Sequence, residues 1–302
     1  MEITRRQTLR VQRQSQTWTA AAAFLAPVLI LLGVYIAYPI ISSFQISLQK
    51  WNGISADRVF VGMANWRQLA SDAGFWAAFK NNVTIMILSI LVQLPIGLAL
   101  ATFLDFGGRR LNVFKVMWFV PLLMSSVAIG FLFRYALATN GGVVSTISRL
   151  FGGRNVDLLG SPTKALYAVI GVICWQFVPF YMVYFMAAYT GMSFDIFEAA
   201  TIDGATRGQY FWRIALPLLA PSVKSAAILS MVGSLKYFDL IYVMTGGGPG
   251  TSTEIMATYM YRYSFKNFNM GYGSTVACGM FILISVIALA TMRLINQGGD
   301  RA

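Results

Sequence analysis

The stretch FDIFEAATIDGATRGQYFWRIALP, residues 194–217, decides how the rest of the chain is read. Its local grammar is helix, break, helix. Asp195 followed three residues later by Glu198 has the spacing of a capping box and predicts a helix start. Gly204 supplies the left-handed position that ends a short helix. Thr206 with Gln209 repeats the capping-box spacing and begins a second helix. Pro217 marks where the chain is expected to turn into the next apolar run. Two short helices at right angles form a protruding knob, on which Ala199 and Ala200 let another backbone approach closely. The competing reading is an ordinary amphipathic connection, with Glu198 a helix cap and nothing more.

The flanking sequence is that of a membrane protein. Of 302 residues, 57% are hydrophobic and 11% charged, where a soluble domain carries about a quarter charged residues. Apolar runs predict an all-α polytopic fold with six transmembrane helices near 20–43, 82–104, 115–138, 166–190, 214–241 and 274–295, each close to the roughly 20 residues a bilayer requires. They form one transmembrane domain over 19–296, between a basic tail at 1–18 and a short tail at 297–302. An even number of spans puts both termini on one side. Arg5, Arg6, Arg10 and Arg13 in the tail, and Arg109, Arg110 and Lys115 in the short turn after the second span, mark that side as cytoplasmic. By the same parity the loop at 194–217 is cytoplasmic. The first span is too long for a cleaved signal peptide and is expected to be retained. Trp18 and Trp118 stand near span starts, as interfacial aromatics do.

The fifth run is unusual because it contains Lys224, Lys236 and Asp239. A charge at the bilayer centre costs about 2.5–3.5 kcal/mol on insertion scales, which places these residues near the ends or against other protein. Lys224 can snorkel. Lys236 and Asp239, one helical turn apart, are expected to offset each other.

Composition excludes several chemistries. There is no histidine, and Cys174 and Cys278 are the only cysteines. This removes His-based zinc or haem sites, Ser-His and Cys-His catalytic pairs, and a disulfide scaffold. Cys174 and Cys278 fall within spans, as small packing residues. The formal charge of +12 fits loops beside anionic lipid headgroups, and no nucleic-acid role is expected. Asn82-Val83-Thr84 matches a glycosylation acceptor, but it opens a span and carries no weight. The glycine run at Gly246-Gly247-Gly248 lacks the Gly-Lys-Ser/Thr ending of a phosphate-binding loop and does not fit G-x-G-x-x-G. No nucleotide site is expected in this chain.

The long spacing in the quoted loop narrows the reading. Glu198, Ala199 and Ala200, three residues, Gly204, nine residues, then Ile214, Leu216 and Pro217 form a pattern that resembles the EAA loop of permease subunits in binding-protein-dependent ABC importers. The segment from Phe238 to Pro249, the later Gly271-Tyr272-Gly273-Ser274, and Trp175 with Pro179-Phe180 are similar to the sugar branch that includes MalF-type permeases. The resemblance runs from the first span to the last. It implies the transmembrane fold of a type I ABC importer with a cytoplasmic helix-turn-helix coupling loop, in the bacterial inner membrane. It also implies a second homologous permease, two cytosolic ATPase subunits that bind ATP and magnesium, and an external sugar-binding protein. On this reading the chain is a transport subunit and no enzyme, with no cofactor or metal of its own. Glu198, Ala199, Ala200, Asp203, Gly204 and Arg207 are the candidate contacts to the ATPase. Sugars are held by aromatic faces and hydrogen-bonding side chains, so Trp175, Gln176, Tyr181, Lys236, Tyr237 and Asp239 are the candidate pathway residues. Helix packing of the aromatics and an interfacial Lys236–Asp239 pair are the competing reading.

Three other functions fit the sequence less well. An ion-coupled secondary transporter acting alone requires carboxylates inside spans, where only Asp239 is available. A membrane enzyme lacks clustered carboxylates or a paired nucleophile and base. Importers for phosphate, polyamines or amino acids share the EAA loop, but the Thr245–Pro249 segment favours sugars, or glycerol-phosphate-like polyols, over those.

Overall fold

The structure, a computed structural model, describes residue 22, residues 24–107 and residues 111–297. Arg5, Arg6, Arg10, Arg13, Trp18, Arg109, Arg110 and residues 298–302 lie outside the described residues. In chain order the elements are α1 (Phe24–Ser47), a hairpin of β1 (Gln49–Lys50) and β2 (Val59–Phe60), α2 (Ala64–Ser71), α3 (Ala73–Gly107), α4 (Asn112–Leu123), α5 (Ser126–Ala136), α6 (Val143–Leu150), α7 (Ala165–Thr190), α8 (Phe194–Ile202), α9 (Arg207–Ser234), α10 (Asp239–Thr245), α11 (Met256–Tyr261) and α12 (Met270–Gln297). The chain is therefore helical almost throughout, as a backbone in lipid must be, because hydrocarbon supplies no hydrogen-bond partners.

Helices α1, α3, α7, α9 and α12 are each long and apolar enough to cross a bilayer. The third expected span, near 115–138, is not one straight helix. It is the pair α4 and α5, bent by 94°. Pro121 withholds a donor from the last turn of α4, and the extended backbone at Met124 and Ser125 separates the two helices.

The fifth expected span, near 214–241, also differs. The turn expected at Pro217 is absent, because α9 runs without interruption from the knob through a π-helical turn at Phe211–Ala215. The widened turn accommodates Pro217, which has no amide hydrogen to donate. At its other end α9 stops at Ser234, and Phe238 (φ −142°, ψ −62°) leads into α10. The break exposes Lys236 and Asp239, so they do not share a helical face and form no ion pair among the described residues. A continuous helix would have carried both charges into lipid.

Helix α3, 35 residues long, is the axis of the molecule, and its main partner is α7. Their close approach depends on Gly97, where an added Cβ would lie 2.7 Å from the Tyr181 Cβ and 3.1 Å from the Met182 amide nitrogen. Small residues at membrane helix crossings allow this kind of backbone contact. Gly130 does the same between α5 and α10, facing the Val243 side chain.

Three apolar clusters follow the axis. One joins Ile85, Ile129, Ile173 and Ile241 in the middle of the bundle. Another joins Leu98, Ala101, Phe185, Ala200, Tyr210 and Leu219 at the α8 end. The third joins Leu69, Phe75, Met256, Tyr259 and Tyr272 at the opposite end. Cys174 and Cys278 are buried and unpaired, as small packing residues.

The hairpin end is tied by polar contacts. Asn81 donates to the carbonyls of Thr251, Ser252 and Glu254, at 3.3, 3.2 and 2.9 Å. Asn82 accepts from the Met256 amide at 2.8 Å. Its acceptor triplet is thus part of a buried structural contact. The Gly271-Tyr272-Gly273-Ser274 segment also has a packing explanation. A Cβ at Gly271 would overlap the Gln49 carbonyl, and one at Gly273 would overlap the Ser264 hydroxyl.

Asp72, just before α3, accepts from the hydroxyls of Tyr259 and Tyr272 and from the amides of Gly74 and Phe75. Burial disfavours its charge, but these four donors outweigh burial and hold the carboxyl below its ordinary value. Glu254 goes the other way. Burial raises it against the pull of Arg262, which it pairs with at 2.9 Å, and Asp72 adds to the rise.

Two outcomes are expected. Gly97→Leu should lower the thermal midpoint and membrane yield, because overpacking costs about 1–3 kcal/mol; Gly97→Ala should fall between it and the parent in detergent melts. Asp72, depressed on folding, contributes stability that is complete above its unfolded value of 3.8 and is lost as pH falls through the lower folded value. Asp72→Asn should therefore melt lower at neutral pH, with the gap to the parent closing only in acid below the ordinary carboxylate range.

Candidate functional site

Helix α8, the following turn and the start of α9 form a compact knob at the Gly107 end of α3. Its N-cap is Ser193, whose hydroxyl accepts from the Asp195 amide at 3.3 Å and donates to the Asp195 carboxylate at 3.0 Å. The expected Asp195–Glu198 box is not formed. Asp195 instead lies in the first turn, where a carboxylate complements the helix dipole, and Glu198 is left exposed.

The break between the two helices agrees with the sequence. Gly204 has φ +75°. The Ala205 amide donates to the Ala200 carbonyl at 2.9 Å and the Gly204 amide to Thr201 at 3.1 Å, which closes a Schellman turn. Thr206 and Gln209 form the expected reciprocal box. The Gln209 amide donates to Thr206 Oγ1 at 3.3 Å and the Thr206 amide to Gln209 Oε1 at 2.8 Å.

The knob has an outward tip and an inward root. Glu198, Ala199, Asp203 and Gly204 are exposed, while Ala200 is buried. The two alanines therefore do not share a docking surface: Ala200 packs within its own chain. The root is aromatic. Phe197 meets Tyr210 edge-on at 5.1 Å, and Phe106 from α3 lies 6.5 Å from Phe197 and 6.2 Å from Tyr210. Arg207 is exposed and places its guanidinium 5.5 Å from the Phe106 ring centre. A cavity of about 460 Å³ opens between this root and Asp105, Tyr189 and Ser193. Sequence reasoning missed Ile202, which is 85% exposed at the tip; an apolar residue at the last position of a short helix was the available signal.

The candidate pathway residues are spread along the bundle. Trp175 is partly exposed and meets Phe133 edge-on at 5.1 Å. Gln176 is buried, donates to the Ser126 hydroxyl at 3.0 Å and leaves its Oε1 without a partner. Gln93, also buried, points its amide at the Cys174 sulfur at 3.9 Å, and its Oε1 is likewise unpartnered. Tyr237 packs on Phe177 at 5.3 Å. Tyr181 is buried beside Gly97, in the cluster that also holds the knob root. Trp175, Gln176 and Tyr237 thus belong to the middle of the bundle, Lys236 and Asp239 to the exposed break, and Tyr181 lies between the middle and the knob, close enough to Tyr237 to interact with it. Among the described residues no group of three or more Asp, Glu, Cys or His side chains is placed to hold a metal ion.

The sequence model of the family described as the inner membrane component of binding-protein-dependent transport systems matches residues 93–298, which include the knob and four of the long or bent helices. This chain belongs to that family. A probable ABC transporter permease of Pyrococcus horikoshii is 33% identical over 283 residues, covering 92% of this chain and 96% of its own. The permease protein MsmF of the multiple sugar-binding transport system of Streptococcus mutans is 30% identical over 278 residues, covering 92% and 94%. A solved bacterial ABC transporter that imports the acidic polysaccharide alginate contains a chain with TM-score 0.83 at 22% identity, covering 95% of this chain and 99% of its own. At that identity the likeness shows the fold, which is that of an importer permease. The permease is a multi-pass inner membrane protein.

The root geometry generates one expectation for this permease. Phe106→Ala removes two ring contacts and the Arg207 stack, so amides of residues 194–210 should exchange hydrogen at least about tenfold faster. Exchange in the α3–α7 core should stay as in the parent, as read by mass spectrometry.

Proposed function

We propose that this permease is one half of the alternating-access pathway of an ATP-driven sugar importer. A second homologous permease forms the other half. Two cytosolic ATPase subunits bind ATP and magnesium and carry out the hydrolysis, and an external binding protein delivers a sugar or glycoside. Both termini and the knob lie on the cytoplasmic side.

The observation that carries this reading is the knob itself. It is stiffened from inside by the Ser193 cap, the Schellman turn and the Thr206–Gln209 box, and its root is clamped on α3 by Phe106. Its tip offers Glu198, Ala199, Ile202, Asp203 and Gly204 to a partner. Such an element transmits force without deforming. Because α9 continues from it unbroken into the membrane, a push on the tip moves the wall beside the candidate pathway. Arg207 steadies the root through Phe106 and reaches the partner from the rim.

A sugar cargo is supported by the multiple sugar-binding transport system of the Streptococcus relative and by the aromatic content of the mid-bundle. Trp175 and Tyr237 offer ring faces there, and the unpartnered carbonyl oxygens of Gln93 and Gln176 are acceptors suited to sugar hydroxyls. Lys236 and Asp239 stand at the break, where a solute reaches them without crossing lipid.

Gly204→Pro and Glu198→Lys should leave the permease in the membrane, while ATPase co-purification and ATP-dependent uptake fall to background. Gly204→Pro forces the wrong φ at the turn, and Glu198→Lys reverses a charge at the tip. Full uptake and an intact complex in both variants would overturn the assignment of the knob.

A further inference from the structure

Beside the α9–α10 break runs a half-exposed strip of aromatic rings. Phe238 stacks on Tyr242 with centroids 5.2 Å apart and planes within 13°. Tyr261 meets them at 5.5 and 5.1 Å, and Phe265 follows Tyr261 at 5.3 Å. The strip ends at a cation, since Lys266 Nζ lies 5.3 Å from the centre of the Tyr242 ring.

At that end a cavity of about 360 Å³ opens, lined by Phe131, Arg134, Tyr242, Thr245 and Lys266 together with other residues of α10 and its C-cap. No carboxylate lines it. Arg134 and Lys266 are exposed and neither is in an ion pair among the described residues. One acid, Asp157, lines a neighbouring cavity that Arg134 also borders. Its Oδ1 accepts from the Thr139 hydroxyl at 2.9 Å and the Gly160 amide at 2.8 Å. Asp239 stands at the opposite end of α10, roughly 9 Å along the helix axis.

These features ask for two properties in one ligand. Two cations facing a cavity with no carboxylate in its lining attract an anion, and an arginine fork favours a planar or tetrahedral oxyanion. An aromatic face takes the C–H face of a sugar ring. A neutral sugar leaves the cations unused, and a simple inorganic anion leaves the ring unused. We propose that this cavity is a binding site for an acidic saccharide, a sugar bearing a carboxylate or sulfonate. Its charge sits between Arg134 and Lys266, its ring rests on the exposed Phe131 side chain because Phe238 and Lys266 already cover Tyr242, and Asp239 repels the acid group from the far end of α10. The inference rests on the reading of the chain as a sugar permease and names the class of its cargo.

The test uses the assembled importer with its binding protein in liposomes of neutral lipid. Uptake of labelled uronate oligosaccharides, with digalacturonate as the reference, is measured beside neutral oligosaccharides such as cellobiose. The parent should take up the acidic probe. Arg134→Gln with Lys266→Gln should raise its KM about tenfold, the loss expected for two exposed charge contacts, and Lys266→Arg should stay near the parent. Equal KM values in parent and double variant would overturn the proposal, as would an equal loss of neutral uptake. Uptake of neutral but no acidic sugars by the parent would overturn it and leave the sugar reading standing. Uptake of neither class would remove both. Inhibition of the acidic probe by equimolar inorganic phosphate, or by phosphatidylglycerol added to the vesicles, that is as strong as by unlabelled digalacturonate would make this a general anion or lipid site and also overturn it.

Discussion

The contact of α3 with α7 at Gly97 holds the rest of the molecule in place. In lipid there is little hydrophobic force between helices, so association depends on close packing. Without a side chain at 97, α3 reaches the Tyr181 and Met182 backbone and fixes its position against α7. The knob and the polar cluster opposite it are then attached to the two ends of that pair. Ser193, just beyond α7, caps α8, and Phe106, in the last turn of α3, receives the aromatic root of the knob. At the other end Asn81 and Asn82 hold the segment leading into α11, and Asp72 gathers the two tyrosine hydroxyls.

Local chemistry was legible in the sequence where one residue has few alternatives. Gly204 and the Thr206–Gln209 box are where their residue types require, since a left-handed turn and a reciprocal cap are decided within a few positions. The cap of α8 was misplaced because Ser193 and Asp195 are both good N-caps, and only the position of the α7 end selects between them. Ala199 and Ala200 look alike in sequence, but helical periodicity turns one outward and the other onto the core. The number of apolar runs was readable from composition. Their continuity was not, because whether Pro121 or Lys236 interrupts a helix depends on the helices around it. The aromatic strip was the least visible feature: Phe238 and Tyr242 come from one segment, Tyr261 and Phe265 from another, and only packing brings them together.

Buried polar groups are satisfied unevenly. Asp72 is matched by four donors, while Asn82 Nδ2 and Ser252 Oγ at the same end have no partner. In the middle, Gln93 and Gln176 each keep a buried carbonyl oxygen without a partner. Leaving such a group unsatisfied is unfavourable by about 1–3 kcal/mol, which argues that stability alone does not account for these two side chains. A passing solute with hydroxyl groups can satisfy them for a moment and then leave.

The division of the knob into tip and root has an evolutionary reach. Residues exposed at the tip, such as Glu198, Ala199 and Ile202, are distinct from those that pack on the permease itself, Phe197, Ala200 and Tyr210. On the proposed coupling role, drift at the tip can follow a changing motor subunit while the root stays answerable only to its own chain. A lineage that exchanges one motor for another, or shares one among several permeases, need rewrite only a few surface positions and none of the membrane domain.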